Sequence, residues 1–85
     1  MLIPVVKVKA LPNHHLQLQF EDGVEKVVDL MPFIRQEGIS APLQDEMYFA
    51  QVAVEAGGGI TWPNGYDFCP VFLRQDVPAV ELSVE

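Results

Sequence analysis

The fold of this chain is decided by residues 15–29, His15-Leu16-Gln17-Leu18-Gln19-Phe20-Glu21-Asp22-Gly23-Val24-Glu25-Lys26-Val27-Val28-Asp29. Leu16, Leu18 and Phe20 alternate with His15, Gln17, Gln19 and Glu21. That period of two describes an antiparallel strand with one buried face and one wet face. Asp22-Gly23 follows at once, and such a pair between two β-prone runs signals a hairpin, because the tight turn needs positive φ. Two registers fit. A two-residue turn opposes Phe20 with Glu25 and Leu18 with Val27. A three-residue loop with a glycine bulge opposes Phe20 with Val24 and Leu16 with Val28. Each register leaves one charged residue, Glu25 or Lys26, near the apolar face.

Working outward, residues 3–11 alternate in part and read as a preceding strand. Val6, Val8 and Ala10 share one face, and Val5, Lys7 and Lys9 share the other. Leu11-Pro12-Asn13 joins it to the hairpin as a turn. After Asp29 the period changes. Asp29 or Leu30 caps a short helix with Pro32 in its first turn, Phe33 and Ile34 facing inward, and Gly38 ending it. Asp45 is the N-cap of a second short helix whose apolar stripe is Leu43, Met47 and Ala50, with Glu46 at the positive end of the dipole. Val52, Val54 and Ala56 read as a fourth strand, Gly57-Gly58-Gly59 as a turn, and Ile60-Thr61-Trp62 as a fifth strand ended by Pro63-Asn64-Gly65. Pro70 opens a last helical turn through Val71, Phe72, Leu73 and Arg74. The pattern predicts an α+β domain: a small antiparallel sheet of about five short strands with two or three short helices packed on it.

The 85 residues suit a single domain, with a core over about residues 3–75 and residues 76–85 as a C-terminal tail or edge strand. At 49% hydrophobic the chain has enough apolar content to fold. No apolar run is long enough to span a bilayer, and the first residues lack the basic head and greasy stretch of a signal peptide, so a cytoplasmic protein is expected. Twelve acidic residues face five basic ones, Lys7, Lys9, Lys26, Arg35 and Arg74, which are scattered. Phosphate and anionic lipid surfaces are bound by clustered Lys and Arg, so neither nucleic acid nor membrane is an expected partner. An acidic surface steers a basic partner or simply maintains solubility.

Motifs for chemistry are sparse. His14-His15 is a poor chelator, because adjacent strand residues point to opposite faces. Cys69 stands in Asp67-Phe68-Cys69-Pro70, where a carboxylate opposes thiolate formation, and it reads as a small buried hydrophobe. Gly57-Gly58-Gly59 precedes a strand rather than a helix, unlike a phosphate loop. The acid pairs Glu21-Asp22 and Asp45-Glu46 have structural explanations at a hairpin tip and a helix start. With no nucleophile elbow, metalloprotease or Walker motif, the expectation is a non-enzyme without catalytic residues, cofactor or metal.

The most unusual stretch is Ile60-Thr61-Trp62-Pro63-Asn64-Gly65-Tyr66-Asp67. In the structural reading Trp62 anchors the core, Asn64-Gly65 turns the chain, and Asp67 caps the Pro70 turn or accepts backbone N–H bonds. In the functional reading Trp62, Asn64, Tyr66 and Asp67 form a protein-binding corner, since aromatic anchors are enriched at interfaces. The tail, in which Val80, Leu82 and Val84 alternate with Glu81, Ser83 and Glu85, joins it as a candidate partner-binding segment. It suits an edge strand or a segment ordered by a partner.

Phe20-Glu21-Asp22-Gly23, Val27-Val28-Asp29-Leu30, Pro42-Leu43-Gln44-Asp45 and Trp62-Pro63-Asn64-Gly65-Tyr66-Asp67, with Pro70 and Leu73, resemble the prokaryotic domain of unknown function 2442 family. The likeness runs from about Val5 to Leu73, and the Trp-Pro-Asn-Gly-x-Asp corner is its most specific part. Gln44 stands where the family usually carries Arg or Lys. The resemblance implies a small α+β fold of undefined biochemistry. Many members are similar to antitoxins encoded beside a short domain of unknown function 4160 protein thought to be the toxin. Some relatives add a helix-turn-helix domain that these residues do not show. The expected function is a non-catalytic binding protein, with an antitoxin paired to a small adjacent-gene toxin as its concrete form. The alternatives are a homodimer that pairs through edge strands, or a weak metal or ligand site around His14, His15 and Asp67.

Overall fold

The computed structural model describes residues 3–80. Its centre is the hairpin of β2 (His15–Phe20) and β3 (Glu25–Asp29), in the register that opposes Leu16 with Val28 and Leu18 with Lys26. The three-residue loop closes it. Phe20 N–H donates to the Val24 carbonyl at 2.8 Å, Gly23 N–H donates back to Phe20 at 2.9 Å, and Gly23 takes φ 91°, the left-handed bulge position. Leu16, Leu18, Phe20 and Val28 are thereby buried on one face. Lys26 shares that face. Its ammonium crosses the apolar surface to donate to the Leu73 and Arg74 carbonyls, at 2.8 and 3.0 Å.

The strand β1 (Val5–Leu11) pairs antiparallel with β2, giving the order β1-β2-β3. An irregularity between Val5 and Lys7 changes the expected phase. Val5 opposes Phe20 and is buried with it, Val6 bulges outward, and Val8 and Ala10 oppose Leu18 and Leu16. The simple alternation grouped Val5 with the lysines; a bulge adds one residue and resets which side faces inward.

A second sheet holds β4 (Ala53–Val54), β5 (Ile60–Thr61) and β6 (Asp67–Phe68), with β5 central. The described residues therefore carry six strands in two three-stranded sheets, where about five strands in one sheet are predicted by the pattern. The helical parts are also smaller. Single 3₁₀ turns occupy Met31–Phe33 and Ala41–Gln44, α1 is Glu46–Phe49, and a π turn spans Phe72–Asp76. Asp29 and Asp45 act as expected at two of these starts, accepting from Met31 N–H and Met47 N–H at 2.9 Å each. The stripe on α1 differs: Met47 is 81% exposed and Ala50 is exposed, whereas Phe49 is buried. In a single turn the core place goes to the aromatic Phe49, and its neighbour Tyr48 packs partly against the same cluster.

Glycine lets the sheets meet. Gly58, at φ 87°, offers its carbonyl to Val5 N–H at 2.7 Å, and a Cβ there would collide with Pro4. A Cβ on Gly59 would collide with the Phe68 carbonyl, whereas one on Gly57 meets open space. Gly59→Ala should therefore cost about 2–4 kcal/mol in urea unfolding, and Gly57→Ala less than about 0.5. Equal midpoints for the two variants would contradict this packing.

Candidate functional site

The corner nominated by the sequence is built from local chemistry. Gly65 N–H donates to Trp62 O at 2.9 Å, Tyr66 N–H donates to Asn64 Oδ1 at 3.1 Å, and Gly65 takes φ 90°. Asn64 Nδ2 donates to the Ile39 carbonyl at 2.7 Å, and the Tyr66 hydroxyl donates to Phe33 O at 2.9 Å. Trp62 is 2% exposed, with its indole N–H bonded to Phe49 O at 2.9 Å and its ring among Phe49, Tyr66 and Phe68. Asp67 lies exposed in β6, opposite Thr61, and does not cap the turn opening at Pro70, where Phe72 N–H bonds to Cys69 Sγ instead. Trp62, Asn64 and Tyr66 thus spend their polar groups inside the domain. Pro63, Asn64, Gly65 and Asp67 are exposed, and Asn64 bonds to the Ile39 carbonyl.

The other nominated residues are dispersed. Val80 N–H donates to Val27 O at 2.8 Å, placing Val80 on the outer edge of β3; Leu82 and Val84 lie outside the described residues. His14, at φ 60°, packs edge-on against Phe49, and its Nε2 lies 3.0 Å from Gln44 O. His15 Nδ1 lies 2.9 Å from Asn13 O. Neither is gathered with Asp67, and among the described residues no three His, Cys, Asp or Glu side chains converge as a metal site. Cys69 is exposed rather than buried, and its Sγ accepts from Phe72 N–H at 3.4 Å. Pro70 and Phe68 occupy the buried places on either side, which leaves the thiol outside.

Charge is concentrated at the hairpin end. Arg74 grips Asp22 with both terminal nitrogens, at 3.3 and 3.0 Å, and its guanidinium stacks 4.8 Å above Phe20. The hydrogen bonds from Arg74 hold the Asp22 carboxyl below its ordinary 3.8. Burial, and then the charge of Arg74, push the Lys26 ammonium below its ordinary 10.5.

A concavity lies where no local motif marks it. A groove of about 520 Å³ runs beside β1, lined by Val6, Lys7, Val8, Lys9, Gln17, Gln19 and Glu25, and walled by Val52, Ala53 and Val54 of the β4 segment. Phe20 bonds to Val24, so by the antiparallel alternation Leu18 and Leu16 turn their backbone toward β3, while Gln19 and Gln17 turn theirs toward Lys7 and Lys9. The N–H and C=O groups of Val8 and Ala10 consequently point outward, along an edge that no strand of the described residues pairs with. Val6 and Val54 expose apolar surface there, at 44% and 37%. Lys7 and Lys9 bring two of the chain's five basic residues to the groove, and neither forms an ion pair among the described residues. The one available signal is the Val6-Lys7-Val8-Lys9 run, since lysine interleaved with β-branched residues marks a sheet edge.

These elements define a small α+β domain of two three-stranded antiparallel sheets among the described residues. The chain belongs to the family described as "Protein of unknown function (DUF2442)", which matches residues 5–78. No curated protein and no solved structure matches it significantly. Among the described residues no helix is long and apolar enough to cross a membrane.

Two measurements check this geometry. Asp22 titrates at 3.8 when unfolded and lower when folded, so its stabilisation is present above that value and is lost as pH falls through the folded value. Acid titration of Asp22→Asn should lack this component of the wild-type stability loss; identical acid limbs would count against the Arg74 contact. Trp62→Phe, which orphans the Phe49 carbonyl and leaves a gap, should lower unfolding stability by about 2 kcal/mol.

Proposed function

We propose that this protein is a non-catalytic protein-binding module whose docking element is the open edge of β1. The antitoxin reading, implied by the family resemblance, is the concrete form: the partner is a small protein encoded beside it, held and neutralised by the complex. The observation that carries the proposal is the outward-facing backbone of Val8 and Ala10, with Val8 at a groove that Val52, Ala53 and Val54 wall on one side and Lys7, Lys9 and Glu25 charge on the other. Such an edge binds an extended segment by main-chain hydrogen bonds, and neighbouring side chains set specificity. The acidic surface, twelve acidic residues against five basic, adds long-range steering toward a basic partner body.

Co-expression with the product of the adjacent gene tests this reading. A complex that survives size exclusion at moderate salt is the expected result, and separate elution is the opposing one. Val8→Pro sharpens the test, because proline removes the outward donor without touching a bond to β2. That variant should keep its fold and weaken the complex roughly tenfold; undiminished binding would move the docking site away from β1.

A further inference from the structure

We infer that Asn64 is a site of spontaneous deamidation that the folded corner holds shut, and that its conversion permanently unlatches the corner from Ile39. The chain has two asparagines, Asn13 and Asn64, and only Asn64 is followed by glycine. The reaction needs no co-reactant but water. The Gly65 main-chain nitrogen gives up its proton and attacks Asn64 Cγ. The N–Cγ bond forms, the Cγ–Nδ2 bond breaks, and Nδ2 leaves as ammonia. Water then opens the cyclic imide at either carbonyl, which leaves aspartate or isoaspartate with no change of oxidation state. Glycine at the attacking position has no Cβ to crowd the approach, whereas His14 after Asn13 does.

Solvent exclusion does not protect this pair, because Asn64 and Gly65 are both exposed. Hydrogen bonds do. Gly65 N–H is committed to Trp62 O at 2.9 Å, which ties up the proton that the attack must release. Asn64 Nδ2 is committed to Ile39 O at 2.7 Å, and Oδ1 accepts from Tyr66 N–H at 3.1 Å, so the carboxamide is pinned from both ends. Trp62 N–H closes the turn on Tyr66 O at 3.0 Å, and the Tyr66 hydroxyl ties it to Phe33 O at 2.9 Å. Reaction therefore requires the corner to open first. The product cannot close as before. In the aspartate form Tyr66 N–H still finds an oxygen, but a carboxylate only accepts, so it meets the Ile39 carbonyl as acceptor against acceptor. The bond from the turn to Ile39 is then lost for good, and the isoaspartate form also lengthens the main chain within the turn.

Ageing the full-length chain at mildly alkaline pH, with and without denaturing urea, tests the gate by peptide mass mapping. The unfolded chain should gain the mass of amide-to-acid conversion at Asn64 at least ~10-fold faster than the folded chain, with Asn13 changing far more slowly in urea. Equal rates in the two states, or Asn13 converting ahead of Asn64 in urea, would overturn the inference. Tyr66→Phe, which deletes the hydroxyl bond to Phe33, should speed native conversion and Gly65 amide exchange together while leaving the rate in urea unchanged. A native rate indifferent to that variant would show that the corner is not the gate. Asn64→Asp, which makes the aspartate product directly, should unfold at lower urea than the wild type, and an equal midpoint would refute the latch. The wild-type rates depend on no variant, so they decide the gate even if a substituted chain folds poorly.

Discussion

The bond from Val5 N–H to the Gly58 carbonyl is the constraint on which the arrangement of the two sheets depends. It forms because a bulge turns Val5 inward against Phe20 and because Gly58 and Gly59 carry no side chain where Pro4 and the Phe68 carbonyl press close. Beyond this junction no backbone hydrogen bond joins the two sheets among the described residues, and β1 runs on beside β4. The groove is what remains when two sheets are joined at one end only. Its apolar walls and its edge are therefore products of the fold's connectivity, and no local motif encodes them.

A second clamp fixes the other side of the sheet. Lys26 sits where an apolar residue would be expected, and a charge on that face is costly unless it is fully bonded. The last helical turn supplies the bonds by presenting two carbonyls, while Arg74 from the same turn crosses to Asp22 at the hairpin tip. The charged residue that leaves the hairpin pattern imperfect is thus the one that docks the C-terminal turn. Arg74 also opposes Lys26 electrostatically, and its own pairing with Asp22 limits that repulsion.

What could be read from the chain was local. The buried face of β2, the Asp45 cap, the Asn64-Gly65 turn and the core placement of Trp62 each follow from residues within a few positions of one another. The Val5 face was misplaced because the bulge depends on Gly58, more than fifty residues away. The periodicity that points Met47 inward means little in a four-residue helix, and Met47 is exposed. The strand β6 escaped notice because two residues carry no period. The groove was hidden for a related reason: it lies between segments near positions 6–9 and 52–54, and only the interleaved lysines hinted at it. Trp62, Asn64 and Tyr66 were recognised as a unit, yet their bonds point inward and they shape the domain directly.

Burial of Trp62 has a practical corollary, since it is the sole tryptophan of the chain. All indole emission comes from one ring, shielded from solvent and fixed by a single carbonyl. Fluorescence therefore follows the integrity of the domain's centre, with no second fluorophore of its kind to blur the signal. Ligands that settle on the outer strands would leave that spectrum almost unchanged, so a red shift during a binding titration would signal opening of the core.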